Sequence, residues 1–276
     1  MHGRSETTIF LAKVPFSRGK GFQRRKGRLM ADLDRNYARS QSVGRAEVGV
    51  IDEGLRAYML RVYNYMSLGV AVTALVTLFL MNSPGLLVAL AGGPMIWVIF
   101  AGILGMGFFA PRLIFSQNTM LAHLCFWVYA SLWGILIAPM VMRFFEIGAA
   151  DLVFRAFAIT AVTFGATSLY GYVTKKDLSG FSTFFVMGSI GLLVAIIVNA
   201  FFFQSTMMSF VTSGLVVLLF SGITAWETQS IKEMYYSGDG TAVLTSKAIF
   251  GAFLLYGSFV TLFVHILNIL GIMRSE

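Results

Sequence analysis

Long apolar runs, broken by short polar punctuation, fill the chain from about residue 56 onward. A helix that crosses a bilayer needs about 20 mostly apolar residues. Seven such runs fit, over residues 59–81, 86–109, 119–142, 152–172, 181–203, 207–228 and 248–272. Asn82-Ser83-Pro84-Gly85 is a turn signal between the first two. Gly92-Gly93-Pro94 predicts an irregular start to the second, with Pro94 in its first helical turn, and Ala110-Pro111-Arg112 ends it. Arg61, Tyr63, Asn64 and Tyr65 read as an interfacial belt where the first run begins. Ser179 is placed to cap the fifth helix, and Gly188 and Gly191 permit close helix approach there, with Asn199 near its far end. The expected fold is all-α: a polytopic membrane protein with one seven-transmembrane-helix domain over residues 56–273 and no room for a soluble second domain.

Polar residues inside these runs carry the functional signal. In the fourth, Thr160, Thr163, Thr167 and Tyr170 recur at i, i+3, i+7 and i+10, on one helical face. Interhelical hydrogen bonding, at about 0.6–2 kcal/mol each, is the favoured reading over a permeation role. In the sixth, the apolar stretch over residues 211–226 runs straight into Glu227-Thr228-Gln229. Glu227 is the only acid that follows a long apolar run with no turn between. A carboxylate there is costly unless it lies at the interface, is protonated, or has a partner in a polar cavity. Two readings stay open: a solvated interfacial group, or a gating or proton-titrating group facing the bundle interior. Thr224 precedes it by three residues, and Lys232, five residues on, is poorly placed to neutralise it. The seventh run offers a matching stripe, Ser258, Thr261, His265 and Asn268, again at i, i+3, i+7 and i+10. His265 reads either as a pH sensor or as a histidine hydrogen-bonded inside the bundle. His123 has no such stripe around it.

Composition places the solvent. The chain is 57% hydrophobic and 12% charged, with mean hydropathy +0.76. Soluble domains carry about 25% charged residues, so the bilayer is the environment that fits. The net charge of +8 is concentrated at one end: residues 1–31 hold eight Lys or Arg against one acid, Glu6. Residues 18–29 place six cations in twelve positions among glycines, so the tail over residues 1–55 is expected to be disordered. It lacks the pattern of a signal peptide; it fits either a mitochondrial presequence, hence a mitochondrial inner membrane, or translation from Met30. Ahead of a membrane domain the cations signify cytoplasmic retention, not nucleic acid. Twelve Lys or Arg before residue 57, then Arg112, Lys175, Lys176, Lys232 and Lys247 fall on one side, against Arg143 and Arg274 on the other. Seven spans then give a cytoplasmic N-terminus and an outer C-terminus.

Enzyme chemistry is not expected. Cys125 is the only cysteine, so no intrachain disulfide or cysteine metal site is available. Leu178-Ser179-Gly180 and Thr212-Ser213-Gly214 lack the first glycine of an intramembrane serine-protease loop, and Gly238-Asp239-Gly240 sits in a polar link. No cluster has zinc-ligand spacing, and no glycine loop would cradle a phosphate. No cofactor is implied.

Four stretches together resemble one family. GYVTKKDLSGFSTFFVMGSIGLLVAIIVN is similar to the loop and fifth span of the transmembrane Bax inhibitor motif family, in its bacterial branch. FSGITAWETQSIKEMY resembles its sixth-span signature, SKAIFGAFLLYGSFVTLFVHILNILG its seventh span, and RAYMLRVYNYMSLGVAVTALV its first. The resemblance spans roughly residues 55–272. It implies a seven-helix bundle with a central last helix, and a pH-sensitive calcium leak controlled by two aspartates on the sixth and seventh spans. It also implies a second role, as a modulator of a membrane protease or stress pathway without transport. The sixth-span aspartate falls on Glu227 within Trp226-Glu227-Thr228-Gln229, and the seventh-span aspartate on Ser258 within Leu255-Tyr256-Gly257-Ser258-Phe259. Glu for Asp keeps the charge; Ser for Asp removes one. Two close carboxylates can share a proton, and this pair cannot, so acid gating and calcium affinity at Glu227 should both weaken. His265 is the group placed to replace the missing acid, with Thr224, Thr261 and Asn268 in support. The expected partners are membrane lipids and calcium or other cations, in a bacterial inner membrane.

Overall fold

The computed structural model describes residues 53–275 apart from Gly92 and Gln117. The basic segment over residues 1–52, Met30 included, lies outside them. The helices are α1 (Glu53–Met81), α2 (Pro84–Ala91), α3 (Met95–Ile114), α4 (Thr119–Glu146), α5 (Ala150–Val173), α6 (Ser182–Val198), α7 (Thr206–Glu233) and α8 (Thr241–Ser275). No strand occurs among the described residues. Seven helical segments are long and apolar enough to cross a membrane, α6 counting with its flanking turns as Ser179–Phe203, and α2 is too short. The chain is a multi-pass helical membrane protein, and its sides carry the expected apolar coat: Phe108 is 84% exposed and Leu218 73%.

Several boundaries differ from expectation for local reasons. The second run is split. Gly93 takes a left-handed φ of 57°, and Pro94, with no N–H to give, becomes the N-cap of α3. Pro111 does not end α3, which continues to Ile114. A helical proline gives up its own amide bond to the carbonyl four residues back, and α3 continues for only three residues beyond it. Asn118 caps α4 by accepting from the amides of Met120 and Leu121 at 3.0 and 3.2 Å. α1 starts at Glu53, inside the expected tail. Ser179 caps nothing: it opens a 3-10 turn (Ser179–Phe181), and its own amide donates to Asp177. That hydrogen bonding holds the exposed Asp177 carboxyl below the usual carboxylate range.

The core lies along α8. In its most apolar stretch 61% of residues are buried, against none in α6. α8 packs on α3, α4, α5 and α7, and Tyr256, Leu255 and Leu262 are fully enclosed. α1 joins through Thr73, whose hydroxyl meets that of Tyr256 and donates to the Ala130 carbonyl of α4. Small residues set the closest approaches. A Cβ on Gly171 of α5 would lie 2.1 Å from the Ala225 carbonyl oxygen of α7. Gly188 of α6 fits under Leu219, but Gly191 faces open space, so only the first of that pair brings helices together.

Candidate functional site

Glu227 and Ser258 meet. The Ser258 hydroxyl donates to the Glu227 carboxylate at 2.7 Å, with Glu227 8% and Ser258 2% exposed. Of the two readings left open, the interfacial one is overturned: the carboxylate is inside the bundle. It got there because α7 runs unbroken for 28 residues, so Glu227 is a helical residue one turn and a half before the end. Ser258 lies midway along α8, the most buried helix. Tyr129 of α4 closes the neighbourhood. Its ring centroid is 4.2 Å from that of Phe253 and 5.6 Å from that of Tyr256, and its hydroxyl sits beside Gly257.

No cation offsets the carboxylate among the described residues. Lys232 donates instead to the Tyr172 carbonyl at 2.9 Å, with its ammonium 5.8 Å from that ring's centre. The pair therefore has two complementary forms. An ionised Glu227 accepts from Ser258; a protonated one donates to the serine oxygen. Either form keeps the helices joined, and only one carries charge. As a calcium site the pair is poor. Among the described residues no three His, Cys, Asp or Glu converge, whereas calcium takes roughly six to eight oxygens.

His265 takes no part in that contact. Its Nδ1 lies 3.0 Å from the Ser213 hydroxyl of α7. Asn268 donates to Ser209 and Ser213, both at 2.9 Å. Half of the stripe thus forms a second polar cluster seven or more residues beyond Ser258. Thr224 and Thr261 support neither cluster by side-chain contact. Their hydroxyls return to Phe220 and Gly257, four residues back in their own helices. The α5 hydroxyls do likewise: Thr160 donates to Ala156 and Thr167 to Thr163, so these two do not bond between helices. The α5 residue that does bridge helices is Ser168, 2.7 Å from the Tyr63 hydroxyl and 2.9 Å from that of Thr228. Tyr63 and Tyr65 are partly buried, with their hydroxyls bonded within the bundle; Tyr65 meets His123 Nε2 at 3.1 Å.

Sequence reasoning missed Ser168, Ser209, Ser213 and Gln229. Gln229 clasps the α5–α6 loop. Its amide donates to the Lys176 carbonyl, and its oxygen accepts from the Leu178 amide, both at 2.8 Å. The available signal for Ser209 and Ser213 was their i, i+4 spacing on a helix that faces α8.

Comparison with known proteins agrees with this architecture. Residues 55–275 match the family described as Inhibitor of apoptosis-promoting Bax1. The protein RP147 of Rickettsia prowazekii is 36% identical over 224 residues, covering 81% of this chain and 93% of that one. A protein of Caulobacter vibrioides is 36% identical over 252 residues, covering 88% and 98%. The inner membrane protein YbhL of Escherichia coli K12 is 32% identical over 221 residues, covering 79% and 92%. With the match running from α1 to the end of α8, the chain belongs to the Bax inhibitor-1 family.

Proposed function

We propose that this protein is a cation leak of the bacterial inner membrane, passing calcium among other ions, and regulated by Glu227 through its contact with Ser258. One observation carries the reading: a carboxylate with no cationic partner among the described residues is held between two packed helices by a single hydroxyl. Such a group is expensive in a membrane and marks ion or proton pathways. Its change of charge reverses the direction of that hydrogen bond and adds or removes a charge between α7 and α8, which supports a gating role. One carboxylate gives a shallower acid response than a proton-sharing pair. The relative YbhL is named for the inner membrane, and the cation distribution supports a cytoplasmic N-terminus. No catalysis and no resident cofactor are invoked.

The test is calcium entry into liposomes holding the purified protein and a calcium dye. Wild type is expected to pass calcium with a gentle dependence on pH, and Glu227→Gln to remove most of that dependence. Flux that is absent at every pH, together with co-purification of a membrane protease, would replace this reading with that of a modulator that transports nothing.

A further inference from the structure

At the end of the bundle where α4 and α8 finish and α7 begins lies a cavity of about 540 Å3. A second, of about 320 Å3, adjoins it, with Asn199, Ser209 and Asn268 lining both. Together they run from Arg143, at the end of α4, to His265 in α8. No acidic side chain lines either. Their ionisable groups are nitrogen bases, and the remaining polar lining is amide and hydroxyl. Arg143 has no acid within ion-pair distance among the described residues, while Asp151 is already paired with Arg155 at 3.2 Å. An arginine is a permanent cation, and this one stands at a polar cavity whose described lining holds no acid.

The backbone beside it is unusual. α6 widens into a π turn, Asn199–Phe203, and Gln204 then takes a φ of 47°. A left-handed conformation is uncommon for a residue with a Cβ, and such strain clusters at ligand sites. Asn199 fixes it, accepting from the Ser205 amide at 3.0 Å and donating to the Ser205 carbonyl at 3.1 Å. The result sets Gln204 and Thr206 on the cavity wall, where among the described residues neither side chain has a hydrogen-bond partner. The same connection leaves Phe202, Phe203 and Met207 strongly exposed.

We propose that this cavity binds the phosphate group of an anionic molecule, with Arg143 as its charge partner and Gln204 and Thr206 as donors. The guanidinium fork matches phosphate oxygens in pairs, and the absence of acids in the lining removes the repulsion that would disfavour one. A phospholipid headgroup and a free phosphate share this chemistry. The exposed apolar turn favours the lipid, because its acyl chains would lie along those three side chains.

The purified full-length chain in detergent is titrated with dioctanoyl phosphatidylglycerol, with dioctanoylglycerol, which lacks the phosphate, and with inorganic phosphate. Bound species are read by native mass spectrometry and by the shift in unfolding temperature. Saturable binding of phosphatidylglycerol but not of dioctanoylglycerol is expected. Arg143→Gln should weaken it about tenfold, the loss of one charge-assisted contact, Arg143→Lys should restore part, and Arg155→Gln should change nothing. Thr206→Glu, at an exposed position, should weaken binding independently and serves if Arg143→Gln folds poorly. Equally tight binding of inorganic phosphate would keep the site and assign it to a soluble ligand. Indistinguishable binding of the two lipids, or phosphatidylglycerol binding untouched by both Arg143→Gln and Thr206→Glu, would overturn the proposal, as would no saturable binding of either phosphate species.

Discussion

A charge in hydrocarbon needs a donor, and Ser258 is the donor Glu227 has. Ser258→Ala removes it and leaves a buried acceptor unmet, which should cost about 1–3 kcal/mol and lower the unfolding temperature in detergent. Glu227→Gln should unfold close to wild type, since an amide can still pair with the hydroxyl. Ser258→Asp restores a second carboxylate, and the pH dependence of calcium flux should steepen as the two acids come to share a proton. An unchanged slope would mean that Glu227 is not the titrating gate. Asp177, in the loop outside the spans, titrates separately. Its lowered folded pKa means that its bond to Ser179 adds stability above the ordinary carboxylate range, lost as pH falls through the lowered value. The Ser179 amide shift, followed by NMR, should therefore titrate below the ordinary aspartate range. At this scale the sequence was read well where a residue broke its surroundings. Glu227 interrupts an apolar run, so it stood out. Ser209 and Ser213 did not, because a hydroxyl in a membrane helix usually bonds its own backbone, as Thr212 does to Met208.

Helices in a bilayer gain little from hiding apolar side chains, since lipid is as apolar as leucine; close packing has to join them. Gly171 is where α5 and α7 come nearest, with backbone opposite backbone. Gly171→Ala should separate them and destabilise the fold by several kcal/mol, about the range of overpacking changes or above. Gly165→Ala, two turns earlier with nothing within 4 Å, should be neutral in the same unfolding measurement. Periodicity and length revealed the spans, but not where they stop. Proline was given too much weight at Pro111, which lies inside α3 and does not end it. Nor could a run of apolar residues show that α2 and α3 are separate, beyond the flag at Gly93-Pro94.

For the whole molecule, the distribution of cations is the strongest statement the chain makes about direction. Alkaline phosphatase fused after residue 276 should be active in a bacterial host, since it matures only outside the cytoplasm; an inactive but intact fusion would reverse the assigned orientation. The seven-span count was legible because lipid imposes one length on every crossing element. Which helix lies deepest was not legible from pattern alone. α6 and α8 are both nearly uniformly apolar, yet one is bare and the other largely enclosed. Only the polar stripe on α8 distinguished them, and it required partners that tertiary packing supplied.

The clasp of Gln229 on the α5–α6 loop has a practical side. That glutamine sits two positions from Glu227, and Lys232 ties the same end of α7 to Tyr172. An epitope or fluorophore spliced between residues 174 and 178 would tug on the turn that holds the acid, and would report on its own disturbance. The connection between α7 and α8 is no freer, since Lys247 ties it down through the Met234 carbonyl and, at 2.6 Å, the Asp239 carboxylate.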